Sequence, residues 1–484
     1  MKINRHYKKI GLLGFFLISL TVLVLLSFQA RPQSGFLTGG NTTVIATGRM
    51  AFSYPLANID RQGNRIFGIG NSFFKRNWVE APASTTARDG LGPHFIARAC
   101  AGCHLHDGRG APPAENQDAI ALLIRLSIPG EDNFNGAVPE PVYGNQFNNF
   151  AISNVKPEGN VEINYQDKII NLNSGKILHQ KKPSYQLTNL QYGPMHDQVM
   201  LSPRIAPHIA GIGLLESIRD EDIIKNEVQQ LHSKGPVKGH VNYVWDSKAK
   251  KKMIGRFGWK ANVATIAHQT AAAFVGDIGI TSTLFPAEQC TIYQTDCLES
   301  PTGSDRKNNA LAKNSTTEGP EIDDDTLNHV IFYQAAIAPA ARRNIMSKSV
   351  NHGEKLFNTA GCATCHLPSY TTGKQPFSEL QVAQLVNEKI WPYTDLLLHD
   401  MGPDLADGRP DFKASGREWK TPPLWGVGLF PDVNGHQRLL HDGRADGVLD
   451  AILWHSGEAE QAKQKVLSMS DKERDHLVDF VNSL

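Results

Sequence analysis

Cysteine is scarce in this chain, with six in 484 residues. So sparse a supply excludes a scaffold built on disulfides, and each cysteine has to be read for its own chemistry. Charge of one sign is equally lacking: 49 Lys and Arg stand against 48 Asp and Glu, a net of +1, and no long basic run occurs. Nothing in that balance points to a nucleic-acid partner. Aromatics are ordinary at 8%. What is plentiful is glycine, 42, and proline, 27, a loop-rich composition that suits a chain wrapped around cofactors. The length leaves room for two or three domains with sizeable cores.

The amino terminus carries Lys2, Arg5, Lys8 and Lys9 ahead of an uninterrupted apolar run from Ile10 to Phe28. A basic flank before such a run is a secretory signal or an N-terminal anchor. The run is long for a signal and just long enough to span a bilayer. Phe28-Gln29-Ala30 is a poor cleavage site, and no cysteine follows to carry a lipid. Residues 1–30 are therefore expected to export the body to the periplasm, either cleaved or retained as a membrane attachment through residues 10–28.

Four of the six cysteines fall in two copies of one pattern, Cys100-Ala101-Gly102-Cys103-His104 and Cys362-Ala363-Thr364-Cys365-His366. C-x-x-C-H reads as a c-type haem attachment site. Two thiols three positions apart on one turn reach both vinyl groups of a haem, and the adjoining histidine then sits beneath the iron as its proximal ligand. Zinc would want a second ligand pair at matching spacing, and neither copy has one. The sequence thus predicts two covalently attached haem c groups, with His104 and His366 as iron ligands. The remaining pair, Cys290 and Cys297, brackets a short polar loop and is expected to form a disulfide in an oxidising compartment.

The predicted fold class is mainly α: two cytochrome c-like haem domains with a small β insertion. The first haem domain is placed at 60–298, with the insertion at about 140–200, where Val161–Tyr165 and Ser184–Leu187 alternate about a turn at Asn173-Ser174-Gly175. A polar linker follows at 299–324, then a C-terminal cytochrome c domain at 325–484. Helices are expected over Asp220–Leu231, Ala264–Phe274, about Asp325–Ala338, and into Cys362 through Gly353–Phe357. Ser470 and Glu473 form a capping box for a last amphipathic helix with Leu477, Val481 and Leu484 on one face. Arg204–Leu214 resembles Lys420–Leu429, each downstream of a haem motif, so a duplicated haem module is the economical account.

Phe257-Gly258-Trp259-Lys260, Gly276-Asp277-Ile278-Gly279, Pro392-Tyr393-Thr394-Asp395 continuing through Leu398-His399-Asp400-Met401-Gly402, and Leu440-His441-Asp442-Gly443-Arg444 resemble the bacterial di-haem oxidoreductase family. The second half is also similar to the wider di-haem cytochrome c peroxidase group. The family's "thiol oxidoreductase" label finds no residue here to carry it. The resemblance implies one six-coordinate haem that passes electrons and one with an open distal face for peroxide. Electrons would enter at the His366 haem and be used at the His104 haem. The distal ligand of the His366 haem then falls at His455 or, alternatively, Met401, a thioether there raising the potential.

For the His104 haem, the repeat puts His268 and Gln269 opposite Trp454 and His455. His268 would close that iron; otherwise Gln269 lines a vacant face and Asp277 or Glu216 supplies acid–base chemistry. The glutamate of the peroxidase group aligns close to Gly279, so Asp277 and Glu216 stand as replacements. Trp259 and Trp425 are candidates to bridge the haems, and Arg109, Arg256 and Arg444 to pair with propionates. Expected partners are a small redox protein or quinol-chain donor or acceptor, and peroxide or another small substrate. The competing readings are a non-enzymatic carrier with both haems six-coordinate, and a subunit of a membrane-anchored complex.

Overall fold

The computed structural model describes residues 35–85, 87–114, 117–301, 303, 319–374 and 382–484. The apolar run at 10–28 and most of the 299–324 stretch lie outside them. The chain divides into Met1–Phe36 and Leu37–Leu484, and the second unit is the subject below. Among the described residues no helix is long and apolar enough to cross a membrane.

Eight helices position the sites: α1 (Arg61–Lys75), α2 (Cys100–Cys103), α3 (Asp220–His232), α4 (Ile266–Ala273), α5 (Asp324–Ala335), α6 (Lys348–Ala360), α7 (Val448–Trp454) and α8 (Asp471–Ser483). Local chemistry starts them. Asp60 caps α1 by accepting from the Gly63 N–H at 2.7 Å. Ser470 and Glu473 close the capping box on α8, which satisfies two amide groups a helix start otherwise leaves bare.

Two helix crossings define the halves, and both depend on glycine. α1 packs on α5 at Gly70, where a Cβ would lie 2.0 Å from the His329 carbonyl oxygen. α6 packs on α8 at Gly353, where a Cβ would lie 1.9 Å from the His476 carbonyl oxygen. Each crossing buries an aromatic stack: Phe67 and Phe74 against Tyr333 in the first, Phe357 against Phe480 in the second. Every such ring removed from water contributes about 1.5–3 kcal/mol.

The expected mainly-α class is corrected by the structure, which is 31% helix and 18% strand. The strands fall into seven small sheets among the described residues, six of them two-stranded. The reason lies in the Gly- and Pro-rich segments, which cannot propagate helices yet run through the interior. Their buried N–H and C=O groups must be paired, and short ladders do that. The longest is an antiparallel hairpin, β1 (Asn160–Asn171) with β2 (Ile177–Thr188), around the Asn173-Ser174-Gly175 turn. The hairpin is tied to residues of the second half of the chain: Tyr185 donates to Asp442 at 3.1 Å, and Gln180 to Asp450 at 2.8 Å.

A buried ionic network locks the halves together. Lys260 Nζ, fully buried, donates to Asp407 at 2.9 Å and to the carbonyls of Arg409 and Ser415. Arg204 pairs with Asp411 at 3.0 Å, which also holds Arg409 at 2.9 Å. Charges this deep are tolerated only when paired and hydrogen-bonded. The repeated segments show the same geometry. Arg204 and Lys420 each lie at or next to a strand end, and Gly211 (φ +78°) and Gly426 (φ +76°) each turn the chain through the left-handed region.

Candidate haem sites

The second attachment motif is delivered by α6. Gly361, at φ +94°, ends the helix, and Cys362–Thr364 follow as a tight turn. His366 Nδ1 then lies 3.0 Å from the Tyr393 carbonyl oxygen. α7 ends at His455, whose Nδ1 lies 2.7 Å from the Ala451 carbonyl oxygen. A carbonyl can only accept, so in both rings Nδ1 carries the proton and Nε2 keeps its lone pair. Fixing a ligating imidazole by its far nitrogen in this way is how metal-binding histidines are held. Burial pushes His366 down to about 4 and lowers His455 as well, so both are neutral and able to ligate.

Both rings line one cavity of about 540 Å³, together with Cys362, Cys365 and Met401. Pockets for cofactors span about 300–1,000 Å³. Met401 also packs against the cluster that contains Trp419 and Trp454. Two buried cations face the same cavity. Lys420 is only 8% exposed, and among the described residues its ammonium makes no hydrogen bond or ion pair. Burial lowers it to about 8, against the pull of Asp395. Arg109 spends its guanidinium on the carbonyls of Arg438 at 2.6 Å and Leu440 at 2.5 Å. Burial lowers it to about 9, with Asp442 opposing. A cavity lined by two thiols, two neutral imidazoles and an unpaired ammonium fits a haem with its two carboxylates.

The other proposed propionate partners are already engaged. Arg256 donates to Asp220 and to the carbonyls of Ile218 and Ile254. Arg444 forms a fork on Asp442. His441 stacks flat on Trp419, ring centroids 3.8 Å apart and 9° from parallel. Trp259 donates its indole N–H to the Ile205 carbonyl at 2.8 Å, and Trp425 Nε1 has no partner.

Sequence reasoning assigned no role to His399, which the structure places against Cys365. His399 Nε2 is 2.9 Å from Asp395 and Nδ1 is 2.7 Å from Glu458, while Cys365 Sγ is 3.8 Å from Nδ1. Burial alone would lower this imidazole, but Asp395 raises it well above its ordinary value. Gln230 completes the support, donating to Asp395 at 2.8 Å and to the Thr364 carbonyl at 3.1 Å. The signal was present in the quoted stretch from Asp395 to Met401, but spacing alone did not reveal that Cys365 and Glu458 would meet His399 from distant segments.

The first motif sits at α2 under the α1–α5 crossing. Asp107, just beyond it, is wholly buried and accepts from Tyr333 at 2.6 Å and Ser53 at 2.5 Å, with Lys75 at 3.2 Å. His104 is neutral through burial, and its Nδ1 lacks a hydrogen-bond partner. Cys103 donates to the Ile120 carbonyl at 3.0 Å. Of the three residues expected to serve here, Asp277 is the one whose charge acts on Cys100, Cys103 and His104. It lies in a π turn, Phe274–Ile278, following α4, accepts from Gln146 at 2.9 Å, and is raised by burial against the pull of Arg125.

Glu216 and His268 are occupied with architecture. Glu216 accepts from the Ile266 N–H at the start of α4, at 2.8 Å. His268 Nδ1 accepts from the Ser247 N–H at 3.2 Å beside Asp246, with its ring on Phe285. Gln269, half-buried on α4, has no hydrogen bond from its side chain. Cys290 and Cys297 are joined by a disulfide.

No curated protein matches this chain. Among solved structures it is similar to hydrazine synthase of Kuenenia stuttgartiensis, determined under 20 bar xenon, at 11% identity with 91% of this chain and 97% of that chain covered. The TM-score is 0.31, too low for any argument to rest on it. Residues 35–484, which contain both attachment motifs and the cavity between His366 and His455, match the family described as "Di-haem oxidoreductase, putative peroxidase", and the chain belongs to that family.

Proposed function

We propose that this protein is an exported di-haem c-type oxidoreductase that takes electrons from a small redox protein and uses them to reduce a peroxide-class oxidant at the His104 site. The observation that carries the reading is the pair of neutral, carbonyl-anchored imidazoles, His366 and His455, on one cavity with Cys362 and Cys365. When bound, haem supplies one-electron chemistry at its iron. Cys362 and Cys365 would hold it covalently, His366 and His455 would take the axial positions, and Lys420 would pair with a propionate. A closed iron site of this kind suits electron passage.

The work at the first site falls to different residues. Cys100, Cys103 and His104 would hold the second haem, with His268 kept to its hydrogen bond from Ser247 beside Asp246. Reducing a peroxide to water consumes two electrons and two protons for each O–O bond broken. Asp277, its carboxyl raised by burial and its charge acting on His104, would be the residue to hold and release a proton there. The basic, apolar start of the chain supports delivery to the periplasmic side.

Electron paramagnetic resonance of the oxidised holoprotein tests the reading. One low-spin and one high-spin ferric signal, the latter shifted by cyanide, is the expected result. Two low-spin signals indifferent to cyanide and peroxide would make the protein a carrier instead. Cell fractionation with salt washing distinguishes a free periplasmic body from a membrane-held one.

A further inference from the structure

The crossing of α6 on α8 brings together two histidines that neither haem site uses. His352 lies on α6 and His476 on α8, 124 positions apart, and their Nδ1 atoms face each other at 2.8 Å. The ring planes stand 69° apart with centroids separated by 5.1 Å, so the rings meet at those nitrogens rather than face to face. The backbone fixes the meeting. Gly353 follows His352 and makes the close approach to α8, where a Cβ would lie 1.9 Å from the His476 carbonyl oxygen. Both imidazoles therefore spring from the tightest point of the crossing. Phe357 against Phe480, ring centroids 5.1 Å apart, holds it one turn further on.

We propose that His352 and His476 form a binding site for a divalent transition-metal ion, copper(II) or nickel(II), which clips α6 to α8. An imidazole nitrogen sits about 2.0–2.1 Å from a bound zinc ion, and its first-row neighbours bind at similar lengths. Two nitrogens at a right angle on one ion are then about 2.9 Å apart, and at a tetrahedral angle about 3.3–3.4 Å. The separation of 2.8 Å fits the right angle. Square-planar and tetragonal nitrogen sites belong to copper(II) and nickel(II), whereas zinc favours the tetrahedron. Without an ion, the two nitrogens stay this close only when one ring donates its proton to the other.

The setting suits a cation. Glu473 lies one turn before His476 on the same face of α8, and its carboxylate is close enough for the charge of His352 to act on it. Asp479, further along α8, accepts from Ser349 of α6 and adds a second negative charge across the same crossing. His352 is exposed and His476 half-buried, so an ion has access and water can complete its coordination. Each ring that ligates through Nδ1 keeps its proton on Nε2.

The site is separate from both haem sites, so the test does not depend on what they hold. Chelator-treated holoprotein titrated with copper(II) chloride should take up a single ion per chain by calorimetry. The copper resonance should show splitting from two nitrogens. The melting temperature should rise by a few degrees at saturation, because an ion that binds only the folded crossing stabilises it. His352→Asn and His476→Asn should each weaken binding by an order of magnitude or more and remove the two-nitrogen splitting. Wild-type haem absorbance in both variants would show that the fold is kept. His232→Asn replaces an exposed histidine whose Nδ1 is bonded within its own helix, and should leave affinity and splitting as they are. Failure of the wild type to take up a stoichiometric ion, or wild-type affinity and splitting in either variant of the pair, would overturn the proposal and leave the two rings sharing only a proton.

Discussion

His366 and His455 face one cavity from opposite ends of the sequence of the second half, each with Nδ1 held by a main-chain carbonyl, at 3.0 Å and 2.7 Å. Burial lowers His366, and a charge on His455 lowers it further. Two neutral imidazoles lining one cavity are the pair proposed to hold one iron. His455→Ala should therefore convert one low-spin haem to high spin. An absorption and resonance spectrum unmoved by the substitution would show that the iron is closed by another residue, Met401 being next on the cavity wall.

Lys420 gives a second expectation. Its ammonium is buried with no partner among the described residues, and an unpaired buried charge has to be compensated by whatever fills the cavity. Replacing it by Gln removes a positive charge beside the iron and favours the oxidised state. The midpoint potential of the low-spin haem should fall by roughly 60 mV, a tenfold change in a one-electron equilibrium. Spectroelectrochemical titration checks this. A rise, or no change with haem content intact, would mean Lys420 faces no propionate.

The His399 cluster predicts a pH dependence. Burial opposes the imidazolium, but Asp395 outweighs it and raises the pKa well above 6.5. A raised folded value means that the pair's stabilisation is fully present below the unfolded value of about 6.5 and is lost as pH climbs through the folded one. Wild type should therefore lose melting temperature between neutral and alkaline pH more steeply than His399→Asn, in which no imidazolium remains to be lost. Parallel melting curves across that range would contradict the assignment.

Gly353 tests the crossing that presents the second motif. A Cβ there meets the His476 carbonyl oxygen at 1.9 Å, so α6 and α8 must separate. Gly353→Ala should cost about 1–3 kcal/mol or more through overpacking, read by urea denaturation of the holoprotein. Gly361→Ala is the informative contrast. No heavy atom lies within 4 Å of its added Cβ, so only the left-handed φ of +94° is strained, and the loss should be about 1–2 kcal/mol. Equal stability of Gly353→Ala and wild type would mean that the helices do not approach as closely as described.

Much of the chemistry was legible before any fold. Two C-x-x-C-H motifs carry their own spacing rule, because thioether formation and proximal ligation are satisfied within five consecutive residues. The capping box at Ser470 and Glu473 is equally local, and α8 starts where it says. The left-handed turns at Gly211 and Gly426, within the repeat read from the sequence, came only with the structure, where both segments adopt a conformation that other residues resist. The strand content was less legible. Only the hairpin from Asn160 to Thr188 alternates long enough to be read; ladders such as Leu398–Asp400 with Glu418–Lys420 are three residues long and pair segments that no local pattern connects.

The sequence by itself marked where haem is expected to be attached and which histidines are expected to sit beneath it, because covalent reach and axial ligation depend on neighbours one to four positions apart. Only the tertiary structure decided which distant groups meet there: His455 on the same cavity as His366, Lys420 without a counter-ion, and His399 between Asp395 and Glu458. Those meetings depend on how two helix crossings and several short ladders pack, and that is a balance of burial and pairing over the whole chain rather than a property of any one stretch of it.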